Sequence, residues 1–409
     1  MLTLRLTRLF PFSERGLWLT LYLMILYGPA QAKMLEPSAH AFFDQRQDTT
    51  QTAYVAVLGD YGLKRHYYEK IDSSGRAELK RLMDYVGSKA TICMNYEFLR
   101  PGQIDFDVEL FHQMGVDAIS MTNNHSGDQP ESFYREVRDR LDEEGFGTYG
   151  FDDDPYYTMM IKGQHLNILA ACGNIEIPFE MPLSIHDEIF PTINREFHHL
   201  PGAHLFYAHM GGFLYEIDAT DRKLVEQYLT PGTDVFILGG SHWTKGFYHR
   251  EDRLAVVSPG DFLFPDSPRC NGVTLSTIPI FGFESEELVY YEVVVFDSKM
   301  DGTFKLANTA MRDSMVTRMD RLSNMTLKEV MIQPGTSRMI MDRFALLLQP
   351  KFLLKIRPYH VRLVWALVIS KVGWPGVLFT LLVMSAALVF LVRFIRKRLL
   401  LRKERNMLT

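Results

Sequence analysis

Short β-rich runs alternating with amphipathic stretches constrain this chain more than any other feature. YVAVLG, TICMN and VDAISM, from Tyr54 onward, read as strands. GRAELKRLMDYV, FDVELFHQM and PESFYREVRDRLDEEG, which follow them in turn, have helical spacing, and the last stops at Gly145. Strands alternating with helices of this length build βαβ units and a largely parallel sheet. After GTYG the rhythm changes, and YYTMMIKGQHLNILAACG reads as a hairpin turning at Lys162-Gly163-Gln164. AHLFYAHMG, a helix over 221–229, TDVFILGG and LAVVSPGDFLF resume the alternation. LVYYEVVVFD and TFKLANTAM close it with strands that read as antiparallel. One α/β domain over 52–311 accounts for these segments, preceded by a polar lead-in at 33–51.

Both ends of the chain point to a membrane. Arg5, Arg8 and Arg15 precede the apolar run 17–27, and Ala30-Gln31-Ala32 offers small residues where a signal peptidase cuts. Residues 1–32 therefore read as a signal peptide or an uncleaved anchor, with an exported domain behind them. Residues 374–395 carry no charge before Arg393, and a bilayer core needs about 20 such residues. The basic tail at 396–409 then belongs in the cytoplasm by the positive-inside rule. Residues 312–373 read as a helical, partly amphipathic connector, broken by Pro350 and Pro358 and suited to the membrane surface. The expected location is the cell membrane, single-pass, with the main domain extracytoplasmic. A net charge of −5 gives no sign of a nucleic-acid partner. Cys93, Cys172 and Cys270 are an odd number for an exported chain. Cys93 and Cys172 sit in strand-like apolar runs and read as buried thiols, and the count leaves room for one disulfide but not for a disulfide framework.

The polar exceptions collect at the ends of the expected strands. Gly59-Asp60 follows the first, Asn95 and Glu97 the second, and Asn123, Asn124, His125 and Asp128 the third. His209, His242 and Asp261 fall after later ones. In open α/β sheets the carboxyl ends of the strands share one rim where ligands bind, so residues distant in sequence should converge. Carboxylates, amides and three histidines suit a divalent transition metal. Two such ions about 3.5–4 Å apart can activate water for phosphoester hydrolysis. His66, His112 and His165 read as ordinary surface or satisfied histidines.

Taken in order, these motifs resemble the CapA/PgsA family of poly-γ-glutamate capsule biosynthesis proteins. The family's Gly-Asp with a following Arg is matched by Gly59, Asp60 and Arg65, and its N-x-E by Asn95-Tyr96-Glu97. NNHxxD is matched in full by Asn123, Asn124, His125 and Asp128. H-W-G appears as His209-Met210-Gly211, and S-L-G-N-F as Ser258-Pro259-Gly260-Asp261-Phe262. Two departures stand out. Gly239 and Gly240 replace histidines of the family's G-H-H-P-H, leaving His242, and Asp261 replaces an asparagine.

The resemblance implies a calcineurin-like metallophosphoesterase fold, an αββα sandwich. It also implies a membrane-anchored extracytoplasmic subunit of a capsule-polymer synthesis and export complex. Its partners would be a cytoplasmic polymer synthetase, small membrane subunits and the anionic polymer itself. The alternative is an active metal-dependent phosphoesterase or polymer-cleaving hydrolase at the cell surface. In that reading Asp60, Glu97, Asn124, His209 and His242 hold Mn, Zn or Fe, and His125, with Asn124 and Asp128, serves the chemistry. Loss of the histidines at Gly239 and Gly240 would loosen or remove one ion.

Overall fold

The computed structural model describes residues 36–37, 43–46, 49–173, 182–210, 219–263, 275–298 and 303–324. The expected leader, transmembrane span and basic tail lie outside them, as do Cys270, Gly211 and all of the connector beyond 324. Among the described residues no helix is long and apolar enough to cross a membrane.

The chain is mixed α/β with two sheets. After the two-residue strands β1 (Glu36–Pro37) and β2 (Phe43–Asp44), the first half runs β3 (Ala53–Tyr61), α1 (Arg65–Tyr68), α2 (Ser73–Gly87), β4 (Thr91–Tyr96), α3 (Ile104–Met114), β5 (Ala118–Ser120), α4 (Glu131–Glu143) and β6 (Gly147–Tyr149). Then come β7 (Tyr156–Ile161), β8 (Gln164–Cys172), α5 (Phe190–Phe197), β9 (Ala203–His209), α6 (Ala219–Tyr228) and β10 (Val235–Gly239). The chain continues through β11 (Gly246–Arg250), β12 (Arg253–Val257), β13 (Asp261–Phe262), β14 (Leu275–Glu284), β15 (Glu287–Ser298), β16 (Phe304–Leu306) and α7 (Thr309–Asn324). Every expected strand–helix unit of the first half forms. The hairpin turns where the sequence places it, with Ile161 opposite Gln164 and positive φ at Lys162 and Gly163.

One sheet is ordered β16-β15-β14-β3-β4-β5-β6 and the other β11-β12-β10-β9-β8-β7. Each has a parallel centre, β3 to β6 and β8-β9-β10-β12, flanked by antiparallel strands. The pleat divides each strand between two cores. Val55, Val57, Cys93 and Ala118 meet Ile168, Leu205, Tyr207 and Ile237 between the sheets. The alternate residues Ala56, Leu58, Ile92 and Ile119 pack under Leu82, Val86, Phe111 and Val137 of the first helices. Beyond the second sheet, Phe206 and Phe236 make tilted and edge-on ring contacts with each other and with Phe190 and Tyr228. The layers are thus helix, sheet, sheet, helix, which agrees with the expected α/β sandwich.

The closing segment differs from the sequence reading. TFKLANTAM is strand only to Leu306, and α7 begins at Thr309. Its Met315 and Met319 enter the core between the sheets, and Ser323 Oγ accepts the Phe247 amide at 3.0 Å. Cys93 and Cys172 are buried, and the Cys172 thiol donates to the His209 carbonyl at 3.0 Å.

Candidate metal centre

The two parallel centres bring their carboxyl ends together. Asp60, at the end of β3, sits beside Asp261 of β13, joined in parallel register. Gly59 permits this, because a Cβ there would lie 1.8 Å from the Gly260 carbonyl oxygen. Asp60 Oδ1 accepts from Asn95 Nδ2 and from the Tyr207 hydroxyl, both at 2.8 Å. Its Oδ2 lies 3.6 Å from His242 Nδ1. Burial alone would raise this carboxyl, but His209, His242 and the Tyr207 hydroxyl hold it well below the usual range. Burial and the nearby Asp60 carboxylate push Tyr207 far above an ordinary phenol, so it stays protonated and donates.

Glu97 has the opposite surroundings. It is fully buried, and neither carboxylate oxygen finds a hydrogen-bond donor among the described residues. Its Oε1 lies 3.7 Å from His125 Nε2, 3.8 Å from His209 Nε2 and 3.7 Å from His242 Nε2. Those distances are too long for hydrogen bonds. Burial, then Asp60, pushes the Glu97 carboxyl well up. For His242, burial works downward but Glu97, Asp261 and Asp60 outweigh it, and the imidazole is pushed up to about 10.

The NNHSGD turn serves two purposes. Asn123 is the buried scaffold: Oδ1 accepts the His125 amide at 2.9 Å, and Nδ2 donates to the Tyr96 carbonyl at 3.0 Å. Asn124 is exposed, and its Oδ1 lies 2.6 Å from His209 Nε2. His125 pairs through Nδ1 with Asp128 Oδ2 at 2.7 Å and rests against the Phe98 ring, 3.9 Å between centroids. The proton on Nδ1 leaves Nε2 facing Glu97. Burial lowers the His125 pKa despite Asp128.

His242 stands at φ 62° in the loop after β10, a conformation that a non-glycine residue adopts only under constraint. Ties to neighbouring elements hold the loop. Thr244 Oγ1 donates to the Pro259 carbonyl at 2.8 Å, Arg318 donates to the Thr244 carbonyl at 2.5 Å, and the buried Lys245 Nζ meets Asp221 Oδ2 at 2.6 Å. His242 Nδ1 pairs with Asp261 Oδ1 at 2.8 Å.

The structure therefore gathers Asp60, Glu97, Asn124, His125, His209 and His242 in one pocket, with Asp128 behind His125. Two sets within it, Asp60–His242–Asp261 and Asp60–Glu97–His209, have the spacing of cation ligands. Arg65 lies apart, exposed and paired with Glu69 at 3.1 Å. The sequence reading overlooked Tyr207 and left Asp261 outside the ligand set. Tyr207 stands two residues before His209 on one strand, hence on the same face, and that alternation was the available signal.

No family model and no curated protein sequence matches this chain. Among solved structures it is similar to a hypothetical protein from Thermus thermophilus, at 14% identity and TM-score 0.43, over 60% of this chain and 99% of that one. It is also similar to a phosphatase from Mycoplasma pneumoniae, at 12% identity and TM-score 0.41, over 60% of this chain and 93% of that one.

Proposed function

We propose that this pocket is a divalent-cation centre serving phosphoester hydrolysis in a metallophosphatase-like domain. The observation that carries the reading is Glu97, a buried carboxylate with no donor among the described residues and three imidazole Nε2 atoms arrayed around it. A buried polar group left unsatisfied costs roughly 1–3 kcal/mol and more when charged, and a cation among these atoms removes that cost. The donor set fits: imidazole nitrogen, carboxylate oxygen and the Asn124 amide oxygen together suit Mn, Zn or Fe. Asp60, Glu97, His209, His242 and Asn124 would hold the metal. When bound, it supplies Lewis acidity toward a phosphoryl oxygen and makes water more acidic.

The protein's own groups do the rest. His125, neutral near pH 7 because burial lowers its pKa, can take or return a proton at Nε2. Asp128 holds the Nδ1 proton and so fixes the tautomer. Phe98 keeps the ring from rotating away. The purified full chain in detergent should hydrolyse an activated phosphodiester with added Mn²⁺ and lose that activity with chelator. No bound metal by elemental analysis together with no turnover would overturn the reading.

The resemblance in NNHxxD and its neighbouring motifs favours a biological setting for this chemistry. In it the domain is the extracytoplasmic part of a membrane-anchored subunit that works with a cytoplasmic polymer synthetase and small membrane subunits on an anionic capsule polymer such as poly-γ-glutamate. Deleting the gene should then reduce polymer production or its surface retention. Unchanged polymer would remove this setting while leaving the cation centre to be judged on its own.

A further inference from the structure

We infer that the centre takes a single divalent ion, on the Glu97 side of Asp60, and that Tyr207 closes the position where a second would sit. The inference rests on the cation reading above. Two candidate ligand sets share Asp60, and by spacing alone they would allow a pair of ions with Asp60 between them. The hydrogen bonds argue otherwise. A carboxylate oxygen has two acceptor sites, and those of Asp60 Oδ1 are taken by the Tyr207 hydroxyl and Asn95 Nδ2. One flank of Asp60 is therefore sealed by neutral donors.

The end of β10 closes the same flank. A Cβ on Gly239 would lie 2.1 Å from the Tyr207 hydroxyl oxygen, so Tyr207 occupies the space a side chain there would need. Gly240 has φ 87°, and a Cβ on it would lie 2.9 Å from His209 Nε2. Neither position can carry a ligand while Tyr207 and His209 stand where they do.

The set Asp60–His242–Asp261 meets Asp60 through Oδ2, not the sealed Oδ1, and it is excluded as a second ion site on its own geometry. Its short contact is internal, His242 Nδ1 to Asp261 Oδ1 at 2.8 Å. That is the relation of a ligating imidazole to the carboxylate that orients it. His242 turns Nε2 toward Glu97, as His125 and His209 do, and the three Nε2 atoms converge on one carboxylate oxygen. Asp261 is a positioning residue for the ion, and Tyr207 together with Gly239 keeps a second ligand set from forming on the other flank.

The test is a count. The full chain, purified in detergent and stripped by chelator, is titrated with Mn²⁺ by calorimetry, and bound Mn²⁺ is read by elemental analysis and electron paramagnetic resonance. One equivalent with the signal of an isolated Mn²⁺ is expected. Two equivalents with an exchange-coupled signal would overturn this inference and leave the cation reading standing; none would overturn both. Tyr207→Ala with Gly239→His clears the flank and supplies an imidazole, so this double variant should bind a second equivalent while Tyr207→Ala alone binds one. A folded double variant that still binds one, checked by circular dichroism, would remove Tyr207 as the cause. Should it fail to fold, the wild-type count decides.

Discussion

Asp60 and Glu97 share one buried pocket and titrate in opposite directions, because donors crowd the first and leave the second bare. Glu97→Gln keeps the shape and removes the charge. It should abolish Mn²⁺ binding at concentrations that saturate the wild type, with little loss of metal-free stability by denaturant titration. Asp261→Asn acts one step removed, through His242, and should weaken Mn²⁺ affinity by about 10–100-fold. His242 gives a pH dependence whose sign is fixed. Its folded pKa of about 10 stands above the unfolded 6.5, so without metal it contributes stability that is full below pH 6.5 and is lost as pH climbs toward 10. Urea melts of metal-free protein between pH 7 and 10 should show that decline, and His242→Asn should flatten it. Mn²⁺ must displace the same proton, so its affinity should rise with pH. At this scale the sequence was legible where a residue type is strange in its place. Amides and histidines at strand ends announce themselves, whereas a tyrosine in the apolar run AHLFYAH passes for core.

The element that matters most to the centre is the loop from Gly240 to Lys245, which holds His242 at positive φ. Its buried Lys245–Asp221 pair is fully enclosed. Lys245→Met breaks this buried pair by removing one partner, at a cost of about 3–5 kcal/mol. Adding Asp221→Leu should recover most of that loss, and a double-mutant cycle of denaturation midpoints measures both. Elements were legible where periodicity was clean, as in α2 and α4. β14 was not, because LSTIPIFGFE contains a proline and a glycine that argue against a strand in mid-sheet. The structure shows how it is tolerated: β14 pairs with β3 only over Ile280–Phe283, so Pro279 falls outside that ladder. In α7 the buried Met315, Met319 and Leu322 have helical spacing, but the β-rich TFKLA just before them masked the change of period.

Across the whole molecule, Asp107 ties strands to helix. Tyr61 donates to one of its oxygens at 2.7 Å, Tyr96 to the other, and Gln103 to both at 3.1 Å. Burial nonetheless raises its pKa from 3.8 to about 6. The folded state then keeps a proton that the unfolded chain has released, so stability falls as pH rises from 3.8 to about 6, by roughly 3 kcal/mol. Asp107→Asn, whose amide confronts three donors, should be the less stable protein at pH 4. By pH 7 the gap should have narrowed by that amount in urea melts. The overall alternation of strand and helix was legible, and so was convergence on one rim. How the two sheets face each other was not, since no local pattern records which strand of one sheet lies over which of the other.

Gly59 joins the first long strand of the domain to a segment about two hundred residues later, because only beside Gly260 does Asp60 meet Asp261. A ribosome delivers the amino-terminal strands first, so β3 and β4 can pair while the other half of the pocket does not yet exist. His209, His242 and Asp261 arrive in that order, the last with β14, β15, β16 and α7 still to be made. A cation held as proposed would therefore be captured only once His209, His242 and Asp261 have all been made, in whichever compartment that stage finds the chain.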